Sequence, residues 1–311
     1  MHSAVPDYQI PKIQIIPKLD GYVSFQYLGR EILGWNSSYS SSRPYFYPVI
    51  GPGDSSVTRM GHPAAADHGH HRSFWWGHNS IAGINFWEES RNQGNKPQIR
   101  QDNWIHFQDG DIEAAFAVQL GWYDSHNSKL MQQDLITLVR PLPNGELWME
   151  INTRFIPVPV ELKIQKTNFG FLGIRVAKTI SAKFGGGLLS SSNGEKSEKN
   201  IFAKPAKWID YSGPVTEKCY AGITWFDHPL NQRHPVSWHV RDDGWMSPAF
   251  CLRDEYLLEK SKPLELRYGL HIHDGKLDVK VAEKQFQSFT DSTALILGKT
   301  QGIYSYVIKR A

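Results

Sequence analysis

Apolar side chains recur at every second position through much of this chain. "GYVSFQYLG" (21–29), "IEAAFAVQLGWY" (112–123), "LITLVRPL" (135–142), "ELWMEINTRFIPV" (146–158) and "LELRYGLHIHDG" (264–275) all show it. Each is aromatic or β-branched in character and bounded by Gly, Pro or Asn. Period two is the repeat of a strand with one face in a core, so these segments predict strands. Asn144-Gly145 in "PNGEL" tolerates the positive φ angles of a tight turn and predicts a hairpin. Helical periodicity is confined to residues 253–263, "RDEYLLEKSKP", and 277–292, "LDVKVAEKQFQSFTDS". Strands without intervening helices exclude a parallel α/β unit and predict an all-β fold, a large antiparallel β-sandwich with a few short helices. The 311 residues show no internal repeat and no compositional break, so a single domain over 1–311 is expected. Residues 185–200, "GGGLLSSSNGEKSEKN", exchange core formers for glycine, serine and charge and predict a mobile loop.

Charge narrows the partners. With 34 basic against 31 acidic residues and no Lys/Arg run, nothing marks a nucleic-acid or membrane-surface stripe. The longest apolar runs are too short to span a bilayer. A soluble protein is expected, cytoplasmic, or periplasmic or secreted if a signal peptide has been removed. Cys219 and Cys251 are too few for a disulfide framework and read as buried free thiols. The absence of GxSxG, P-loop and GxGxxG patterns argues against α/β-hydrolase, nucleotide and Rossmann chemistry.

The histidines are unevenly placed, clustering at 62–78, 228–239 and 271–273. The densest stretch is "DHGHHRSFWWGH", residues 67–78. If extended, it sends His68, His70 and Arg72 to one face and Asp67 and His71 to the other. A His-x-His pair offers a metal two imidazoles, so a divalent metal on His68 and His70 is one reading, with His234, His239 or Asp227 as third ligand. His271 and His273 form a second such pair. No metal is favoured, because no spacing here fixes a coordination geometry by itself. A sugar explains more of the residues. Pyranose faces are apolar while their hydroxyls need planar polar partners, and Trp75, Trp76, Arg72 and Asn79 supply both. A regular strand turns only one of two adjacent tryptophans inward. His68, His70 and His71 are then candidate acids or bases near neutral pH, with Asp227, His234 or His239 as counterpart.

"RPYFYPVIGPG", "DHGHHRSFWWGH", "FDHPLNQRHPVSWHVRDDGW" and "HDG" resemble the PmoA-like family, bacterial proteins whose label mentions methane oxygenase. The resemblance runs from about Arg43 to about Gly275. It implies a galactose-mutarotase-like β-sandwich. The chain has no span in which a membrane oxygenase could sit. From the same motifs Arg43, Tyr45, His78, His228, Trp238 and His273 join the candidate sugar-binding residues. "HGHHRSFWW" is also similar, more weakly, to a stretch of the aldose epimerases in which a histidine and an arginine line the sugar pocket; His68, Gly69, Arg72 and Trp76 match it. The downstream acid of those enzymes has candidates in His228, His234 and His239. Their late base has Asp227, Asp274, Glu255, Glu259 and Glu265.

These residues together predict a protein acting on a small carbohydrate by proton transfer between histidine and carboxylate. Epimerisation, elimination and hydrolysis all fit the parts. A metal-dependent enzyme using His68 and His70 and a non-catalytic carbohydrate-binding protein are the alternatives.

Overall fold

The structure is a computed structural model that describes residues 9–89, 96–301 and 306–311. Two large antiparallel sheets face one another. The first runs, in spatial order, Ile13–Pro17, Tyr22–Tyr27, Arg30–Asn36, Tyr45–Gly51, Phe74–His78, Gly170–Arg175, Trp245–Pro248 and Trp238–Arg241. The second runs Leu188–Ser191, Trp208–Thr216, Cys219–Asp227, Leu264–Asp274, Leu147–Pro157, Lys129–Pro141, Ala114–Tyr123 and Gln98–Gln108. This is the all-β antiparallel sandwich that the alternation predicts, and all five quoted segments form strands in it. The hairpin at 144–145 also forms, with both residues at positive φ.

The inner faces interdigitate through aromatic rings. Phe74 on the first sheet meets Trp225 on the second at 5.5 Å, and Trp76 meets Phe155 at 5.8 Å, both edge to face. Alternation breaks down on the second sheet, where Ala114–Tyr123 is buried on both faces at most positions. The helix Val279–Asp291 and the hairpin of Leu295–Lys299 with Tyr306–Arg310 cover its outer face, packing Phe289, Leu295 and Ile308 against Ala115, Ala117 and Trp148. The helix starts where the sequence signals it: Asp278 caps it by accepting from the backbone N–H of Lys280 and Val281.

Two expectations give way. Residues 253–263 hold no helix; Tyr256–Glu259 is a strand paired with Glu161–Ile164. Its Leu258 packs into the core. Burying that one row outweighs an intrinsic helix preference of a few tenths of a kcal/mol per residue. Residues 185–200 hold a strand, Leu188–Ser191, and a helical turn, Glu198–Ile201. Glu198 is fixed by Arg241 and by the backbone N–H of Asp242. Among the described residues no helix is long and apolar enough to cross a membrane. Both cysteines are free; Cys251 is buried and Cys219 half-buried.

His78 belongs to this core, not to a binding surface. It points inward from its strand against Phe171, with Nδ1 accepting the N–H of Ser80 and Nε2 buried without a partner among the described residues. Burial pushes its pKa down to about 3. The unfolded chain then binds a proton below pH 6.5 that the folded chain refuses. Stability from this group is therefore complete above pH 6.5 and lost as pH falls toward 3, at up to about 1.4 kcal/mol per pH unit. Denaturant midpoints of His78→Leu measured from pH 7.5 to 4 should start lower, by about 1–2 kcal/mol for the lost hydrogen bond, and fall less steeply than wild type; an unchanged slope would refute the assignment.

Candidate functional site

The outer face of the first sheet is where polar chemistry collects. Alternation turns Trp75, Gly173, Arg175, His239, Arg241 and Trp245 outward on four neighbouring strands. Gly173 matters most among them, since a Cβ there would overlap the Trp245 ring. Its bare backbone leaves room for the outer edge of the indole to approach the strand. Trp75, Trp87 and Trp245 form an apolar cluster separate from the main core, with ring centroids 5.0–5.6 Å apart and Tyr45 and Phe169 at its edge. Above it opens a cleft of about 510 Å³. Its polar lining is His68, His70, His71, Asn79, Glu88, Glu89, Arg175, His239, Arg241 and Asp243, and its aromatic lining is Trp87, Phe169 and Trp245.

The histidine run is not extended. Ala66–His68 is a 3₁₀ turn, Gly69 is α-like, and Ser73 has φ 68° before the strand begins. The turn gathers His68, His70 and His71 onto one side, with ring centroids 4.5–5.5 Å apart, where a strand would split them. His62 adds a fourth ring 5.3 Å from His68. His71 stacks on both Trp75 and Trp245. Its Nδ1 lies 2.7 Å from Nη2 of Arg175, whose Nη1 donates to Oδ1 and to the backbone oxygen of Asp243 at 2.5 and 2.9 Å. The other carboxylate oxygen of Asp243 takes Nε2 of His62 at 2.9 Å. Burial, then the Arg175 cation, hold the His71 pKa far below the ordinary imidazole value. Burial alone would raise the Asp243 carboxyl, but Arg175 and His62 outweigh it and hold it below the usual carboxylate range.

His239 approaches from the opposite edge, its ring 5.8 Å from Trp245. Nδ1 lies 2.8 Å from the carbonyl oxygen of Asn168 and must donate to it. Nε2 then carries the lone pair, and it is buried with no hydrogen-bond partner among the described residues. Burial pushes this imidazole down to about 4, so it is neutral at pH 7.

Of the predicted site residues, His68, His70, His71, Asn79 and His239 line the cleft. Asp67 has no described side chain. Trp75 lies beneath the cleft in the aromatic cluster and Tyr45 at its edge. Arg72 does not offer its fork to a ligand: it holds Glu89 in a bidentate pair at 2.9 and 2.6 Å. Arg43, buried beside it, reaches the same Glu89 at 3.8 Å. Trp76 and Trp238 point into the core between the sheets, which corrects their assignment to a sugar surface. Both Trp75 and Trp76 are 0% exposed, because a second aromatic cluster covers the outer face of their strand.

The second histidine cluster divides. Asp227 is buried and organises the loop after it, accepting from Asn231, from the backbone N–H of Val236 and from His234. His228 pairs with Arg267 and packs on Phe289 under the C-terminal helix. Asp227, His228 and His234 are therefore scaffold on the other sheet's side, and only His239 joins the first cluster. His271 and His273 lie on the outer face of the second sheet, Nε2 of each at 2.8 Å from a carboxylate, Glu146 and Asp210 respectively. His273 is thus remote from the cleft. None of Glu255, Glu259, Glu265 and Asp274 lines it.

Sequence reasoning passed over Glu88, Glu89, Arg175, Arg241, Asp243 and Trp245. Three of these stand in "HVRDDGW", next to His239, where alternation alone aligns Arg241 with it. Glu88 and Glu89 follow Trp87 in "FWEES", with no period to mark them. Among the described residues no three His, Cys, Asp or Glu side chains are grouped so as to hold a metal ion. Hydrogen bonding explains part of this: His62 spends both ring nitrogens, and Nδ1 of His71 is taken by Arg175.

A search of curated proteins finds no match. Among solved structures the chain is similar to one assigned as a kojibiose phosphorylase from human microbiome, at 11% identity and a TM-score of 0.37, over 91% of this chain and 37% of that one. The chain thus spans little more than a third of that protein's length. Residues 20–287 match the profile of a family of unknown function, DUF6807, and the chain belongs to that family.

Proposed function

We propose that the cleft on the outer face of the first sheet binds a small carbohydrate and moves a proton on it. The observation that carries this reading is the pair of neutral imidazoles flanking Trp245. His71 and His239 lie against the same indole and line the same cleft, and His239 has a lone pair spoken for by nothing in the described protein. A volume of about 510 Å³ suits a ligand of one or two sugar rings. Trp245 and Trp87 supply an apolar platform, and Asn79, Glu88 and Glu89 supply hydroxyl partners. In this reading His239 Nε2 takes the proton from a sugar carbon or hydroxyl. Epimerase and lyase chemistry begin with such a step, and in a hydrolase the same lone pair would take its proton from the attacking water. The resemblances to the PmoA-like family and to the aldose epimerases support a sugar. Of the four epimerase-like positions, however, only His68 lines the cleft.

Turnover against neutral and oxidised mono- and disaccharides tests the reaction, with quenching of tryptophan fluorescence as the binding readout. A protein that binds sugar but turns none over is a binding module; one that binds none refutes the proposal. His239→Gln should lower kcat by roughly two to four orders of magnitude while quenching persists, and a chelator should leave the wild-type rate unchanged. Gly173→Ala should push Trp245 off the sheet and weaken sugar binding about tenfold, the worth of one aromatic stacking contact, at a cost of about 1–3 kcal/mol in stability from overpacking. Unaltered affinity in that variant would remove Trp245 from the binding surface.

A further inference from the structure

Arginine has five donors, no acceptor and no accessible neutral form, so any atom hydrogen-bonded to it must bring a lone pair. Nδ1 of His71 lies 2.7 Å from Nη2 of Arg175, which is 2% exposed and cannot turn to water. Nδ1 is therefore the unprotonated nitrogen, and the ring proton sits on Nε2. A proton on Nδ1 would set N–H against N–H in the neutral ring, and would set two cations face to face in the doubly protonated one. The guanidinium is held in place in turn. Nη1 donates twice to Asp243, and the remaining Asp243 oxygen is occupied by His62. Nδ1 of His62 accepts the backbone N–H groups of Ala64 and Ala65 at 3.0 Å each, which puts its proton on Nε2, toward Asp243. Every hydrogen bond in this chain of four side chains has one possible direction, because the arginine in the middle cannot accept.

We propose that Arg175 fixes His71 as a neutral imidazole protonated on Nε2, so that His71 serves the cleft as a hydrogen-bond donor and not as a base. Asp243 and His62 are positioning residues that act through Arg175. The arrangement inverts the usual carboxylate–histidine pair, where an acceptor behind the ring makes it more basic. Here a donor cation stands behind the ring. The other titratable groups around it are His62, His68 and His70, each a cation if protonated, while the carboxylate of Asp243 is spent on Arg175 and His62. Nε2 of His71 has no partner among the described residues, and the ring lines the cleft, so its N–H is available to a ligand oxygen. On the carbohydrate reading, that oxygen is a hydroxyl or carbonyl whose negative charge grows as His239 removes a proton. The two histidines then divide the work: Nδ1–H of His239 donates to Asn168 and leaves a lone pair forward, while Nδ1 of His71 accepts from Arg175 and leaves a proton forward.

Long-range proton–nitrogen correlation spectra of the ¹⁵N-labelled full chain read the tautomer directly, with the His71 signals identified by their loss in His71→Gln. At pH 7.5 the wild-type ring should show an unprotonated Nδ1 and a protonated Nε2, with no tautomer averaging. In Arg175→Met the same ring should average between tautomers. A wild-type His71 that is averaged, doubly protonated or protonated on Nδ1 overturns the proposal, and because the wild-type spectrum alone decides, failure of Arg175→Met to fold leaves it testable. The readout involves no ligand. A fixed tautomer in a protein that binds no sugar would sink the carbohydrate reading and leave this assignment standing, and an averaged His71 in a sugar-binding protein would do the reverse.

Discussion

The contact of the Trp245 indole with the bare backbone at Gly173 sets the geometry of everything above it. The outer face of an antiparallel sheet ordinarily meets water through polar side chains. Here it carries Trp75, Trp87 and Trp245, and Arg175 and His71 are buried against these indoles. Magnitudes indicate why this arrangement holds. Each indole removes about 150–250 Å² from water, roughly 4–6 kcal/mol apiece at 25 cal/mol per Å². Burying the Arg175 charge costs several kcal/mol even when paired. Burial of the three tryptophans offsets that cost.

Two buried carboxylates elsewhere in the molecule, Glu150 and Asp210, are paired within the scaffold. Glu150, at the centre of the second sheet, takes both Arg267 and Arg310 and thereby ties the last strand to the sandwich. Asp210 takes His273, whose pKa is raised: burial opposes the charged form, but the hydrogen bond to Asp210 and its charge outweigh burial. The cleft is built differently. Two of its three carboxylates, Glu89 and Asp243, are claimed by Arg72 and Arg175, and Arg241 by Glu198, and His71 and His239 stand among these pairs as neutral imidazoles. Pairing of this kind lowers the basicity of His71 without stranding an unpaired charge in a low-dielectric setting.

Much of the fold was legible in the sequence because strand alternation is a local signal: residues 112–123, 146–158 and 264–275 carry it plainly. Part of the candidate cleft was legible as well, since four of its lining residues come from "DHGHHRSFWWGHN". What alternation supplies is parity, not partners. It separates His271 and His273 from Leu270 and Ile272 but cannot say that they face away from the first sheet's cleft. It failed outright at 67–72, where a 3₁₀ turn replaces a strand, and at 256–259, where pairing with Glu161–Ile164 overrides helical preference. Asp227 was chosen for its motif, yet it satisfies the backbone and side chains of its own loop. Glu89, Arg175 and Asp243 went unseen because long-range pairing, and no local spacing, brings them to the histidines.

That last property bears on how the molecule is made. The ties that assemble the donor side of the cleft join His71 to Arg175 across 104 residues, Arg175 to Asp243 across 68 and His62 to Asp243 across 181. Contacts of such separation are entropically expensive to close and form late in folding. In order of synthesis the histidine turn comes first, its arginine 104 residues after His71, and Asp243, which holds that arginine, a further 68 residues on. Trp75, on the strand Phe74–His78, likewise precedes the Trp245 that covers it. One short segment, "RDDGW", thus brings both the carboxylate that holds Arg175 and the indole that covers Trp75, so the polar and the apolar halves of this face are completed by the same stretch of chain.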